Sequence, residues 1–265
     1  MAACGGQTSV PALVVGTTND SEATLLAQLY AAALRFYGTP ARVDVVADPL
    51  AALDSGTVDV VPGFTGHFLQ TFAPGSAVRA DKQVYRAMVG ALPEGVAAGD
   101  YSSTTEDKPV LVVTLSTSAA WGSRDLAATA RHCAGLIAGA VVDMSPPEAV
   151  GTCALPNPRV FPNETAMLDA LRAGSIRAAW GSTAGPELPD GLIGLADRKP
   201  ELVQAQNVVP LYRRNELGEF GLRAINELGG VLDTAALRDM RHQVATGADP
   251  AAVAGDWLAT HPLGR

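Results

Sequence analysis

The hydrophobic pattern begins with a short apolar run, Ala12–Val15, of strand type. Gly16, Thr17, Thr18 and Asn19 interrupt it. Apolar residues then return at helical spacing, with Leu25, Leu26, Leu29, Ala32, Ala33 and Phe36 on one stripe, which predicts a helix from about Asp20 to Tyr37. Asn19 and Glu22 stand three apart, a capping-box start, and Gly38 and Pro40 stop the helix. A second strand, 41–47, alternates with period two. The short helix "PLAAL" and a third strand, 57–61, follow, the strand ending at Pro62. A further helix is expected around 82–92. Alternating β and α at this spacing predicts a mostly parallel sheet with helices on both faces. Ligands of such sheets sit beyond the carboxyl ends of the strands.

The second half repeats the theme with a different texture. A polar loop from Thr104 leads into an apolar strand and a small hydroxyl cluster, Ser116, Thr117 and Ser118. "RDLAATARHCAGL" predicts a helix and "AGAVVDM" a strand. The proline-rich 145–161 segment predicts irregular structure, and Asn163 caps the helix "NETAMLDALRAG". "QNVVPLYRR" predicts a strand crossing back. Three helices close the chain, with Asp233 and Asp249 as N-caps and Gly229 and Gly247 as stops. One stretch echoes another: Leu53, Gly56, Thr57 and Val58 of "LAALDSGTVDVVPGFTG" align without a gap with Leu171, Gly174, Ser175 and Ile176 of "LDALRAGSIRAAWGSTAG". Two such helix–glycine–strand units predict two similar lobes, which would bring Phe64 and Trp180 to a shared cleft.

Composition narrows the classes. The 265 residues are 48% hydrophobic and 17% charged, enough apolar content to fill a large core. The net charge of −8 and the absence of a basic tract disfavour nucleic acid as a partner. No apolar run reaches the length of a membrane-spanning helix. At the start, "MAACGGQTSVPALVVG" places Cys4 after two alanines and before a flexible polar stretch. That fits either the cut end of a bacterial lipoprotein signal, with Cys4 as lipid anchor, or a free cysteine in a tail. Cys133 and Cys153 show no metal-ligand spacing. They form either two buried thiols or, in an exported protein, one disulfide.

No phosphate-binding glycine motif, nucleophile elbow or metal-ligand histidine spacing is written in the chain, so no cofactor, no metal and no enzymatic step is expected. His67 alone of the four histidines falls in a candidate site loop. His132, His242 and His261 fit surface positions near helix ends. Thr17, Thr18 and Asn19, at a helix start, suit an anionic group. Ser116, Ser118, Ser182 and Thr183 would supply hydrogen bonds. Phe68 and Trp257 fit the core.

"VVGTTNDSEATLLAQLYAAALRFYG" with "LAALDSGTVDVVPGFTGHF" resembles the opening of the substrate-binding proteins of osmoprotectant ABC transporters, which take up glycine betaine, choline and carnitine. The ending, from "VVPLYRRNEL" to "GADPAAVAGDWLATHPL", is similar to that family's C-terminal region. The resemblance implies a type II periplasmic-binding fold, α/β and two-lobed, with a hinged cleft. It divides the chain into a tether at 1–9, a first lobe at 10–110 plus 208–265, and a second lobe at 111–207. It also implies an extracytoplasmic monomer, tethered by Cys4, that hands a small polar or zwitterionic solute to a membrane permease; the alternative readings are the same fold with a non-betaine ligand as a sensor or receptor, or a hydrolase-type enzyme with its site in the cleft. The family holds quaternary ammonium in an aromatic cage. Its loop tyrosine falls on Phe64, just before Thr65, and its last loop threonine on His67. Its turn lysine falls on Thr18. The aromatic opening its second lobe falls near Ser118, with Trp121 close by. The aromatic before its Ser-Thr pair falls on Gly181, beside Trp180, and the tyrosine ahead of its crossing strand falls near Gln206. With several cage aromatics replaced, the resemblance leaves room for a polar solute other than a betaine.

Overall fold

A computed structural model describes residues 11–142 and 144–264. Cys4 and the expected tether lie outside the described residues. The first stretch runs β1 (Leu13–Thr17), α1 (Ser21–Phe36), β2 (Ala41–Val45), α2 (Pro49–Ser55), β3 (Val60–Phe64), α3 (Thr65–Phe72), α4 (Asp81–Ala91) and β4 (Val96–Ala98). The middle holds β5 (Pro109–Thr114), α5 (Leu115–Trp121), a 3-10 turn at Leu126–Arg131, β6 (Ala138–Val141), β7 (Ala149–Val150), β8 (Cys153–Ala154), β9 (Arg159–Phe161), α6 (Glu164–Arg172), β10 (Ala178–Ser182) and β11 (Leu192–Gly194). The end holds β12 (Val208–Arg213), α7 (Glu219–Val231), α8 (Thr234–Ala245) and α9 (Pro250–Thr260).

The chain divides into two compact units. Among the described residues, the first comprises 11–64, 91–105 and 208–264; the second comprises 65–90, 106–142 and 144–207. The helices α3 and α4 therefore group with the second unit, whereas the sequence boundaries had assigned them to the first.

The first unit is built on a sheet of order β2-β1-β3-β12-β4. β1 is parallel to both β2 and β3, and β12 runs antiparallel to β3 and β4. Its core is packed by α1, whose Leu25, Leu26, Leu29, Tyr30 and Leu34 are fully buried. Each such leucine contributes about 2 kcal/mol relative to exposure. The cap of α1 is Asp20 rather than Asn19: the Asp20 carboxylate accepts from the Glu22 and Ala23 N–H groups. A carboxylate one residue later fits because Asp20 has extended backbone and Asn19 does not head the first turn.

β3 does not end at Pro62. It continues to Phe64, and Pro62 lies directly opposite Pro210 of β12. Hydrogen bonds from the Arg213 N–H to the Asp59 carbonyl and from the Thr65 N–H to the Asn207 carbonyl set the parity of this ladder. That parity puts the two prolines on a rung where neither N–H is needed between these strands. A proline interior to a sheet is tolerated on those terms.

The second unit carries a sheet of order β11-β5-β10-β6-β9. Read from β9, it repeats the first: two parallel neighbours (β9 and β10) around β6, then β5, which runs antiparallel to both β10 and β11. The α2–Gly56–β3 and α6–Gly174–β10 segments occupy equivalent places, and both glycines have positive φ, 79° and 73°. Trp180 is 2% exposed and packs with Leu111, Val113, Leu126, Leu136 and Val203 on one face of the sheet. Ala179 points to the other face, among Phe161, Met167, Leu171 and Ile176. Cys133 and Cys153 are joined as a disulfide, Cα atoms 5.7 Å apart, tying the end of the 3-10 turn to β8. The expected helix over 124–136 is only that 3-10 turn, because Gly135 (φ 71°) and the disulfide interrupt it. Gly229 lies buried inside α7, facing the Asp100 carbonyl, rather than ending the helix.

Candidate functional site

In each unit the strand order reverses beside one strand. β1 is followed by β2 on one side, and β3 returns on the other; β6 is followed by β9 on one side, and β10 returns on the other. The crevice at the carboxyl ends of such strands is where open α/β sheets hold ligands. In the first unit those ends are Thr17 and Phe64. In the second they are Val141 and Ser182.

The first cluster gathers Thr17, Thr18, Phe64, Asp20 and Glu22, together with Arg241 from α8. Thr17 is buried and its hydroxyl donates to the Thr18 carbonyl at 3.2 Å. The Thr18 carbonyl also accepts from the Thr24 hydroxyl at 3.3 Å, and the Thr18 hydroxyl accepts from the Asp20 N–H at 3.4 Å. The loop is therefore knitted by its own threonines, and the first amides of α1 are met by Asp20. Asn19 is exposed. The Arg241 guanidinium pairs with Glu22 and lies over the Phe64 ring, 5.9 Å from its centroid. Burial pulls the Arg241 guanidinium down to about 10, partly offset by Asp20. It stays charged at neutral pH.

The second cluster is built where β10 ends against the 106–108 segment. Thr183 donates its hydroxyl to the Glu106 carbonyl at 3.1 Å and accepts from the Lys108 N–H at 2.9 Å. The Ser182 hydroxyl donates to the Asp107 carboxylate and accepts from the Ala184 N–H at 3.0 Å. Burial pushes the Asp107 carboxyl up to about 6; a backbone N–H bond from Ala184 opposes the shift and the Glu106 charge adds to it. Beneath lies a buried ion pair, Lys108 Nζ to Asp197 Oδ2 at 2.6 Å, both side chains under 10% exposed. Asp197 also accepts from the Leu202 and Val203 N–H groups.

The remaining predicted residues fall elsewhere in the second unit. Thr65 is buried, donating to the Ala205 carbonyl and accepting from the Asn207 N–H. His67 is exposed on α3 and its backbone N–H is held by the Gln206 side chain at 2.9 Å. Gly66 allows this approach: a Cβ there would stand 2.6 Å from the Ala205 carbonyl oxygen. Gln206 also lines a cavity of about 450 Å3 with Gln70, Arg79, Glu148 and Gln204. Ser116 is exposed on the first turn of α5, bonded to Thr114. Ser118 is buried and donates to the Ser123 carbonyl. Trp121 is stacked on His132, ring centroids 4.8 Å apart, against the core.

Trp180 is the main correction. It is a core residue and not a platform for ligand. The gapless alignment of the two echoing segments places Trp180 on Pro62 and Ser182 on Phe64, so the residue equivalent to Phe64 is Ser182. The Trp180 ring, in mid-strand, is covered by Leu111 and Val113 of β5, Leu126 of the 3-10 turn, and Leu136 and Val203. Arg241, Asp107 and Lys108 were not anticipated. Arg241 does carry a signal: it follows Leu237 and Met240 at helical spacing, so it falls at the edge of the buried stripe of α8.

No protein-family model matches the chain, and no curated protein matches it. Solved structures do. A glycine betaine/carnitine/choline ABC transporter structure aligns with a TM-score of 0.73 at 16% identity, covering 94% of this chain and 98% of that one. Apo YehZ from Escherichia coli aligns with a TM-score of 0.70 at 18% identity, covering 96% and 99%. An ABC-transporter choline-binding protein in complex with choline aligns with a TM-score of 0.58 at 18% identity, covering 95% and 89%. At these identities the likeness is one of fold, and that fold is the type II periplasmic-binding fold.

Proposed function

We propose that this chain is the solute-binding component of an ABC importer, capturing a small polar or zwitterionic solute and delivering it to a membrane permease. The observation that carries the reading is the pair of strand-end clusters, set at equivalent switch points of two repeated sheets in a fold shared along nearly its full length with a choline-binding protein of a transporter. Reversible capture needs only hydrogen-bond donors, charges and an aromatic face held in place, and the clusters supply Arg241, Asp107, Ser182 and Phe64. In this reading the protein acts outside the cytoplasm, with Cys4 as the point of a lipid anchor and the protein as a monomer.

A calorimetric screen of glycine betaine, choline, carnitine, ectoine, amino acids and polyols tests the reading. A binder whose affinity falls about 10-fold or more in Phe64→Ala supports it. Absence of any binder, or turnover of a bound solute, overturns it. Loss of membrane fractionation in Cys4→Ser checks the anchor.

A further inference from the structure

Phe64 is the aromatic of the first strand-end cluster, and its ring already faces a cation, the Arg241 guanidinium 5.9 Å from the centroid. A quaternary ammonium held on that ring would need the attraction that Arg241 now uses. The two tryptophans expected to add aromatic faces are taken, Trp180 by the core and Trp121 by His132. We propose that Arg241 sets solute specificity by reading a carboxylate on the solute, so that cations lacking a carboxylate are refused. The biological meaning of this step rests on the solute-binding reading above.

The side chain of Arg241 is only 16% exposed, and its carboxylate partner Glu22 is 34% exposed. A solute carboxylate reaches the guanidinium by taking the place of Glu22, one charge-assisted partner for another. The exchange leaves the Glu22 carboxylate to meet the positive end of the same solute. The cluster therefore suits a zwitterion, with its carboxylate on Arg241 and its cationic end toward Glu22. The first amides of α1 do not take the carboxylate, because Asp20 already accepts from Glu22 and Ala23. A cation without a carboxylate has no group with which to displace Glu22, and it would meet the guanidinium across a single ring.

Acetate and tetramethylammonium are the two halves of such a solute and serve as probes. In the full-length protein, labelled with nitrogen-15, acetate at up to about 100 mM shifts the Arg241 Nε–H resonance and tetramethylammonium leaves it in place. Glu22→Gln removes the competing carboxylate and tightens acetate binding about 10-fold. Read on the backbone amides of Glu22 and Phe64, which every variant keeps, Arg241→Gln abolishes the acetate response, and Arg241→Lys, which keeps the charge without the fork, gives a weaker one. Spectral dispersion shows that each variant is folded. An unmoved Arg241 resonance with acetate, an equal shift with tetramethylammonium, or weaker acetate binding in Glu22→Gln overturns the proposal. If acetate fails at Arg241 while a screened solute still binds, importer function stands without Arg241. If acetate binds at Arg241 while no screened solute binds, the carboxylate site stands without importer function.

Discussion

Replacing Asp197 with alanine would remove one half of the buried pair with Lys108. The loss leaves an ammonium under 10% exposed without its carboxylate, and it takes the acceptor from the Leu202 and Val203 N–H groups. Breaking a buried pair from one side costs about 3–5 kcal/mol, most of it the uncompensated charge. Lys108→Met should cost less, about 2 kcal/mol, because Asp197 keeps two amide donors and the methionine fills the same volume. The neighbouring Arg198–Asp125 pair is an internal control, since its side chains are 73% and 41% exposed. Arg198→Ala should change stability by less than about 0.5 kcal/mol. Urea unfolding followed by tryptophan fluorescence measures all three, since Trp180 and Trp121 both report on the second unit. With a slope of about 2 kcal/mol per molar urea, the Asp197→Ala midpoint should fall by about 2 M. An Asp197→Ala cost below about 1 kcal/mol, or no larger than that of Lys108→Met, would refute the reasoning. The effect should reach the site as well: Lys108 shares its backbone N–H and carbonyl with Thr183, so solute affinity should drop with stability.

Three further outcomes follow from the same structure. The folded Asp107 carboxyl titrates at about 6 against an ordinary value of 3.8, so the native state binds the proton more tightly. Its contribution to stability is therefore greatest below pH 4 and is lost as pH rises towards 6, by up to about 3 kcal/mol; Asp107→Asn should remove that slope from the difference between the two unfolding profiles. Cys133→Ser with Cys153→Ser should lower stability by about 3 kcal/mol, as expected for opening a loop of 20 residues, read as a fall in Tm matching that of the reduced wild type. Gly66→Ala should cost about 2 kcal/mol and free the Gln206 side chain from the His67 N–H, visible as faster amide exchange at His67, because the added methyl meets a backbone carbonyl that has little room to retreat.

The elements with long periodic signals were legible in the sequence. Leu25, Leu26, Leu29 and Ala33 of the α1 stripe, the Asp233, Asp249 and Asn163 caps and the helix–glycine–strand echo have structural counterparts, whereas Phe36, placed on the same stripe, is 50% exposed in the last turn, where Leu34 is buried instead. What escaped depends on partners distant in the chain. Pro62 reads as a strand end because a lone proline breaks a ladder; only the opposing Pro210 and the bond parity make it tolerable. Trp180 reads as a platform because it is large and next to a glycine, yet its depth within β10 is set by β5 and β6. The stretch from Thr65 to His67 reads as a loop because Gly66 and Thr65 weaken the helix signal, while it forms the first turn of α3, with Thr65 and His67 bonded to 205–207. Lys108 and Asp197 stand 89 residues apart by their numbers, and no local pattern joins them.

The opposed prolines of β3 and β12 also act as a key against misalignment. Sliding β12 by one residue along β3 would put Pro62 and Pro210 on adjacent rungs, one of which requires an N–H donor that proline lacks, losing a ladder bond there and exchanging the two buried faces of β12. A misaligned sheet is thus penalised twice at its centre, during folding as well as after it. What the key protects is the pairing of Val208 with Phe64, and so the position at which the aromatic ring emerges beneath Arg241.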